Sequence, residues 1–229
     1  MMHEGIKPIE DSKKTIAAIV QDRIREAILY GTLAAGSRID QSQLASALNV
    51  SLVPVREALK KLEAEGFVQI IPRRGAFVTK TSPTDMEELY FARQILEGQA
   101  AYHGAENLTD EALARLSVLM EKMGEALKTH DLVTFMHCNH DFHFTIYEAA
   151  GNRYLLNMIS GLWELAERYR YRYMFLRDQG QAIQSEHQAI LDACYARDKA
   201  RLRDAIAYHM HQTLAGVKAY MVAAPAHHE

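Results

Sequence analysis

Histidine and asparagine side chains in the second half of the chain have a spacing that could bind a metal ion. Asn139 and His143 are four residues apart, which places both side chains on one face of a helix. His187 and His209 fall in two later helical segments, which a bundle could bring opposite that face. From the spacing alone, histidines that are hydrogen-bonded in a protein core are the favoured alternative, because the candidate ligands come from distant segments without a compact metal motif.

Positively charged side chains recur in the first third of the chain. Arg56 and Lys60 are four residues apart and share one exposed face of a helix. Arg73 and Arg74 form the tip of a short hairpin. Each charge taken singly is typical of a solvated surface, but positive charge on several elements of one compact segment favours a nucleic-acid partner.

Local sequence signals predict the elements that carry these charges. Apolar residues recur at helical spacing until Gly31, Asp40 is a suitable N-cap, and Pro54 fits the first turn of a third helix. The tight turn before this third helix would let it enter the major groove of DNA. The predicted elements are helices over residues 12–29, over 40–48 and around Pro54 to residue 65, then strands over 67–71 and 76–79.

Only helical patterns follow in residues 83–222. Ser82 and Pro83 suit the N-cap and the first position of a helix. The periodicity breaks at residues 109–110, 151–152, 178–180 and 198, and we expect about six helices in all, which form a bundle. The predicted fold class is mainly α, with an N-terminal winged helix-turn-helix, a small β-hairpin wing and a C-terminal antiparallel helical bundle.

The length and the charge distribution of the chain predict two domains. Its 229 residues suffice for two cores of modest size. Residues 1–80 contain 12 lysines and arginines against 9 aspartates and glutamates, whereas residues 81–229 contain 14 against 20, so the first part suits an anionic partner. We expect a DNA-binding domain over residues 1–80, an all-helical domain over 81–222 and a flexible tail over 223–229.

Other features of the sequence bear on its compartment. No apolar run approaches the roughly 20 residues that span a bilayer, and the first residues lack the apolar segment of a signal peptide. We therefore expect a cytoplasmic protein without a membrane partner. The two cysteines, Cys138 and Cys194, form no spaced framework, so we expect reduced and buried thiols.

Four motifs follow one another in the first part of the chain, GSRI at 36–39, QLA at 43–45, PVREAL at 54–59 and RRGAFV at 73–78. Through these motifs, residues 12–79 show a resemblance to the GntR family of winged helix-turn-helix transcription regulators. The resemblance implies DNA contacts from the recognition helix and from the wing, at Ser51, Val53, Arg56, Arg73, Arg74 and Gly75. The exposed face shared with Arg56 adds Lys60 as a phosphate contact.

Two positions depart from the family pattern. The family commonly has a Ser-Arg pair before the proline motif, where this chain has Ser51 and Leu52. It often has a charged residue early in the second helix, where this chain has Ser42. Each missing guanidinium removes a candidate guanine or phosphate contact, so we expect either an unusual operator or weaker binding.

Residues 85–215 resemble the FCD effector domain of the FadR-type subgroup. The match includes the Asn139-x-x-x-His143 pair, EHQAI at 186–190 and Arg93 in the first helix. In metal-binding members an Asp or Asn, the His four residues later and two further histidines surround one divalent ion. The resemblance therefore implies one ion bound by Asn139, His143, His187 and His209, and an effector-binding role for Arg93.

The chemistry of this ligand set favours an acidic effector. Three neutral imidazoles and an amide leave the charge of a divalent ion unbalanced, and four ligands leave positions open on an octahedral ion. Such a site attracts a carboxylate, and Arg93 adds a two-pronged donor for a second acidic group. An ion pair with Glu97, four residues on, is the alternative interpretation of Arg93. Zn, Ni, Mn and Fe all accept imidazole, so the sequence does not choose among them.

The function that these features predict is transcription regulation rather than catalysis. We expect a homodimeric repressor that binds a palindromic operator and responds to a small carboxylate at the metal site. A regulator that responds to the metal alone, without an organic effector, is one alternative. A metalloenzyme is the other, with Glu186 beside His187 as general base, although the sequence has no His-Glu-x-x-His run.

Overall fold

The computed structural model describes residues 14–80, 82–174 and 180–223, and the chain divides into two compact units, residues 1–79 and 80–229. Two sequence-based expectations concern residues outside the described ranges, the break at 178–179 and the tail from residue 224 onward. The predicted start of the first helix at residue 12 is wrong for the described residues 14–15, because Thr15 is the N-cap and the helix begins at Ile16.

From residue 14 onward, where it is described, the first unit contains three helices and a small antiparallel sheet. A buried apolar core, which includes Ile24, Leu59, Leu62 and Phe67, joins the helices to the sheet. The strand order is β1-β3-β2. The elements are α1 (Ile16–Leu29), β1 (Arg38–Ile39), α2 (Gln41–Ala47), α3 (Leu52–Ala64), β2 (Val68–Ile71) and β3 (Gly75–Val78).

Local hydrogen bonds and backbone angles explain the helix-turn-helix. The Asp40 carboxylate accepts from the backbone N–H groups of Ser42 and Gln43, which caps α2 as the sequence predicts. Asn49 has a φ of 53°, a left-handed conformation that asparagine tolerates well, and so turns the chain between α2 and α3. Pro54 lies in the first turn of α3, where no intrahelical N–H bond is lost.

The sheet has one strand more than the sequence predicts. β2 and β3 form the expected hairpin, but Arg38 and Ile39 also pair with Phe77 and Ala76 on the other edge of β3. Two residues are too few to show the alternation of apolar and polar side chains by which strands are recognised. The extra strand matters because it holds Arg38 beside the wing.

The described residues of the second unit form six α-helices in a bundle, in agreement with the predicted count of about six, and one short 3-10 turn follows the first of them. No strand occurs among its described residues. Its helices are α4 (Pro83–Gly104), α5 (Asp110–Lys128), α6 (Leu132–Glu148), α7 (Arg153–Met174), α8 (Gly180–Ala196) and α9 (Lys199–Ala223).

The centre of this bundle contains polar residues as well as a large apolar core. α4 packs against α9, α7 and α6, while α8 packs against α9 and α5. Arg93 and Glu97 from α4, Asn139 and His143 from α6, and His187 from α8 are all buried. Buried charged and polar groups are costly unless they are paired or bind a ligand, so this interior is the natural place to look for a site.

The described residues also bear on membrane-spanning helices and on the two cysteines. Within them, no helix combines the length and the apolar character needed to cross a membrane. Cys138 and Cys194 are buried and form no disulfide, as predicted. Burial raises the pKa of the Cys194 thiol to about 12, so this cysteine stays protonated and unreactive near neutral pH.

Candidate DNA-binding surface and metal site

The start of α3 presents a set of exposed side chains. Ser51 is the N-cap residue, but its side chain makes no capping hydrogen bond. Val53 is 63% exposed, and Arg56 and Lys60 are exposed one and two turns further on. Val55 and Leu59 are buried beneath them, so the polar and apolar faces of α3 are separated as predicted.

The turn between β2 and β3 presents the predicted basic tip. Arg73 has a φ of 63° and Gly75 a φ of 105°, both in the left-handed region. Arg73 and Arg74 are exposed, and the Arg74 guanidinium lies 5.8 Å from the centre of the Phe77 ring. Non-glycine residues adopt a positive φ at a cost, so Arg73 is held in a strained conformation where its charge faces solvent.

A groove of about 410 Å³ lies between the start of α3, the start of α2 and the wing. Its lining includes Ser42 and Leu52, the two positions where the family pattern has arginine or another charged residue. It also includes Arg56 and Arg38, and a Cβ placed on Gly75 would lie 3.5 Å from Arg38 Nε. Arg38 was not predicted as a DNA contact, because only its place on β1 brings its side chain to this groove.

Three of the predicted metal ligands converge inside the second unit. His143 from α6, His187 from α8 and His209 from α9 each offer a ligand atom, and these atoms lie within 4.8 Å of one another. His143 and His187 are buried, and His209 is partly buried. Three imidazoles at this separation can coordinate one divalent ion. His140 lies outside this group and stacks on the Phe144 ring at 4.1 Å.

Each histidine of the cluster is oriented by a hydrogen bond at Nδ1. His187 Nδ1 is 2.8 Å from the Ile183 carbonyl oxygen, and His209 Nδ1 is 2.7 Å from Glu186 Oε2. His143 Nδ1 is 3.2 Å from the Tyr147 hydroxyl. Acceptors at these positions fix the proton on Nδ1 and leave the lone pair on Nε2. Metal-binding histidines are held in this way in most proteins.

Asn139 completes the predicted ligand set through its contact with His187. Asn139 Oδ1 lies 2.9 Å from His187 Nε2. Because the proton of His187 is on Nδ1, both atoms present lone pairs. Two acceptors at this distance are stable when a cation binds both, or when the amide turns its NH2 group toward the ring. The first arrangement fits the donor set of a divalent transition metal.

Arg93 and Glu97 form a buried ion pair beside the histidines. Arg93 Nε donates to Glu97 Oε1 at 2.6 Å, and a terminal nitrogen of Arg93 donates to Oε2 at 3.3 Å. The Tyr147 hydroxyl donates to the same Oε2 at 2.7 Å, so it accepts from His143. The guanidinium therefore belongs to a hydrogen-bonded chain that reaches the histidine cluster. The Arg93–Glu97 ion pair, which the sequence offers as the alternative to an effector-binding role of Arg93, is present in the structure.

Family models match both units of the chain. The model described as "Bacterial regulatory proteins, gntR family" matches residues 16–78, and the FCD domain model matches residues 88–212. The chain belongs to the GntR family. The helix-turn-helix of this GntR regulator is therefore followed by an FCD domain, in the order that the sequence resemblance implied.

Named relatives agree with this assignment. The HTH-type transcriptional regulator McbR of Escherichia coli K12 is 29% identical over 86% of this chain and 90% of its own length. The HTH-type transcriptional regulator BphR of Paraburkholderia xenovorans LB400 is 32% identical over 93% and 89%. The solved structure of E. coli McbR/YncC superimposes with a TM-score of 0.78 at 26% identity and covers 91% of this chain and 99% of that chain.

The electrostatics of the FCD interior suit metal binding. Burial, together with repulsion from His209, lowers the pKa of His187 to about 3, so this imidazole is neutral at physiological pH. Burial raises the pKa of Glu186, and the nearby His187 opposes that shift. Burial is the largest single effect on the pKa of Arg93 and would lower it, but the charge of Glu97, its hydrogen bond and the nearby Tyr90 and Tyr147 together raise this pKa. Arg93 therefore stays protonated in the interior.

A small cavity separates the histidines of the FCD domain from the Arg93 ion pair. Its volume is about 10 Å³, close to the minimum that holds one water molecule. Polar and aromatic groups from α4, α6, α7 and α9 share this space. The lining consists of Tyr90, Arg93, Glu97, His143, Trp163, His209, Met210 and Thr213.

Proposed function

We propose that this GntR regulator is a homodimeric repressor whose operator binding is controlled by a small carboxylate at a metal ion in the FCD domain. Asn139, His143, His187 and His209 bind the ion, which supplies a Lewis-acidic centre for the carboxylate. The observation that carries the proposal is the convergence of three imidazoles whose ligand atoms lie within 4.8 Å of one another.

The exposed surface of the first unit supports the operator-binding part. Ser51, Val53 and Arg56 at the start of α3 contact base edges, while Lys60 contacts phosphate. The wing contributes Arg73, Arg74 and Gly75. Arg38 lines the same groove as Ser42 and Leu52, so its guanidinium supplies a phosphate contact in place of the charges that these two positions lack.

An apolar strip on α4 supports the homodimer. Phe91 and Ile95 are one turn apart and are 67% and 51% exposed. Burying such a strip against a second copy removes apolar surface from water, by about 25 cal/mol for each Å². A two-fold dimer also matches the symmetry of a palindromic operator.

The small cavity sets a condition on effector control. A space of about 10 Å³ is too small for an organic acid, so the acid must widen it as it binds. Because the acid must widen the cavity, it binds the widened arrangement of the protein more tightly than the closed one. A ligand shifts DNA affinity only if it binds two arrangements of the protein unequally, typically with a coupling of about 1 to 3 kcal/mol. If no organic acid binds in the cavity, the metal ion alone is the ligand that controls operator binding.

Metal content tests the proposed site. The full-length protein is dialysed against zinc and then against metal-free buffer, and its zinc is measured by elemental analysis. We expect one ion per chain in the wild type and loss of this ion in His187→Ala. His140→Ala is the matched control, because His140 lies on α6 outside the cluster, and it should retain the ion. Equal zinc in both variants would contradict the proposal.

A further inference from the structure

The hydroxyl of Tyr90 is a buried polar group with no evident structural task. Tyr90 is 3% exposed, and its hydroxyl oxygen has no hydrogen-bond partner among the residues that the structure describes. Leaving such a group unsatisfied is costly, because it loses its hydrogen bonds to water without replacement. Native proteins keep few of these groups, and each calls for an explanation.

The packing of Tyr90 does not supply that explanation. Its ring lies beside the Arg93 guanidinium, with Cζ 5.0 Å from the ring centre. A phenylalanine ring would make the same contact. The hydroxyl is the part that remains unexplained, and Tyr90 is one of the residues that line the cavity together with Arg93, His143 and His209.

The charges around this cavity define what the hydroxyl could bind. Arg93 is already neutralised by Glu97, to which it donates two hydrogen bonds. A second carboxylate at this end would meet the negative charge of Glu97 in a buried site, which is unfavourable. A neutral oxygen atom would meet no such repulsion and could hydrogen-bond the Tyr90 hydroxyl. The sequence predicts a second acidic group of the effector at Arg93. The negative charge of Glu97 narrows that prediction to a neutral oxygen atom at this end of the cavity.

We infer that Tyr90 determines effector specificity by hydrogen-bonding a neutral hydroxyl or keto oxygen of a monocarboxylate. The effector is then a small hydroxy acid or keto acid, whose carboxylate binds the metal while its second oxygen reaches α4. This inference rests on the proposed function, because the carboxylate needs the metal site. The ligand replaces the single water that the cavity can hold and displaces Met210, an unbranched side chain that repacks easily.

Matched pairs of acids test the inference. Binding of glycolate and acetate, and of lactate and propionate, to the zinc-loaded full-length protein is measured by calorimetry. Each pair differs by one hydroxyl group. A hydroxy acid can also chelate zinc through its hydroxyl, so the deciding quantity is the change in the affinity ratio between wild type and Tyr90→Phe.

We expect Tyr90→Phe to lower the preference for the hydroxy acid by about ten-fold, the value of one hydrogen bond of about 1.4 kcal/mol. Acetate affinity and zinc content should stay the same, which also shows that the variant is folded. Tyr102→Phe is the control, because Tyr102 lies on the same helix and its ring packs near Lys199 and Arg203 instead. This variant should keep the wild-type ratio.

The outcomes separate the inference from the proposed function. An unchanged ratio in Tyr90→Phe, or tighter binding of malonate than of either hydroxy acid, would overturn the role of Tyr90 while leaving a carboxylate site in place. If zinc-loaded wild-type protein binds none of these acids, the carboxylate part of the proposed function fails, and the inference fails with it.

Discussion

Arg73, at the tip of the wing, has a strained backbone conformation and is also one of the predicted DNA contacts. Arg73 has a φ of 63°, which costs a non-glycine residue about 1 kcal/mol. Arg73→Gly should therefore raise the unfolding free energy of the first unit by about 0.5 to 1 kcal/mol. It should also weaken DNA binding, because a positive charge is lost from the wing. Urea unfolding and fluorescence anisotropy with labelled DNA measure the two effects.

Arg74→Gly is the control for this prediction. Arg74 is the neighbouring wing arginine, and it is not among the residues with a positive φ. Its substitution should weaken DNA binding without stabilising the protein. Equal losses of stability in both variants would show that Arg73 is not strained.

Asn139 is the residue at which the charge of the proposed metal site can be changed most simply. An aspartate would add a negative charge among neutral ligands, and charge-assisted contacts are about twice as strong as neutral ones. Asn139→Asp should bind zinc about ten-fold more tightly and carboxylates more weakly. Asn152→Asp is the matched control, since Asn152 caps α7 through its side chain outside the cluster. Loss of zinc from Asn139→Asp in a competition titration would refute this account.

The sequence defines some residues of the site and leaves others hidden. A spacing of four predicts that Asn139 and His143 share a helix face. It does not predict that His187 and His209 lie beside them, which came from family resemblance. Glu186 and Tyr147, which orient two of the rings, were not identified as orienting groups, because an orienting role depends on which side chains become neighbours after folding.

At the level of elements, close helix packing positions the two sides of the site. α4 carries Arg93 and α6 carries His143, and these helices approach closely at Gly104. A Cβ at Gly104 would lie 2.6 Å from the Ile146 carbonyl oxygen. Backbone atoms cannot move aside cheaply, so the spacing of α4 and α6 depends on the absence of a side chain at this position.

A pair of glycine substitutions tests this packing. Gly104→Ala should lower the unfolding free energy by about 1 to 3 kcal/mol through overpacking. Gly161→Ala in α7 should instead raise it by up to about 1 kcal/mol, because alanine favours helix and a Cβ there meets nothing within 4 Å. Thermal unfolding of both variants gives the comparison. If Gly104→Ala is as stable as Gly161→Ala, the close approach does not position α4 against α6.

Prediction of the elements from sequence succeeded where the periodic signal was long. About six helices were expected after residue 83 and six are described, since each has several turns of apolar repeats, but the turn between α5 and α6 at residues 129–131 was not among the predicted breaks. β1 was missed because two residues carry no period. The omission matters for the proposed function, since Arg38 on β1 lines the groove that we propose as part of the DNA-binding surface.

At the level of the whole molecule, the charge distribution agrees with the assigned roles. The basic excess lies in residues 1–80, which contain the helix-turn-helix, and the acidic excess lies in residues 81–229, which contain the FCD domain. An acidic FCD domain is disfavoured from binding DNA non-specifically. The sequence alone predicts this division of charge between the two domains. The coupling of effector binding to operator binding is a property of the complete protein, and measurements on the full-length chain determine it.

Operator binding with and without metal and acid tests the central claim most directly. A DNA site is selected from a random pool with the full-length protein, and its affinity is measured by anisotropy. The zinc-loaded wild type should lose about 5- to 150-fold in affinity when a binding carboxylate is added, corresponding to about 1 to 3 kcal/mol of coupling. His187→Ala should bind the same DNA without responding to the acid. An acid response that persists in His187→Ala, or in chelator-treated wild type, would contradict control through the metal site.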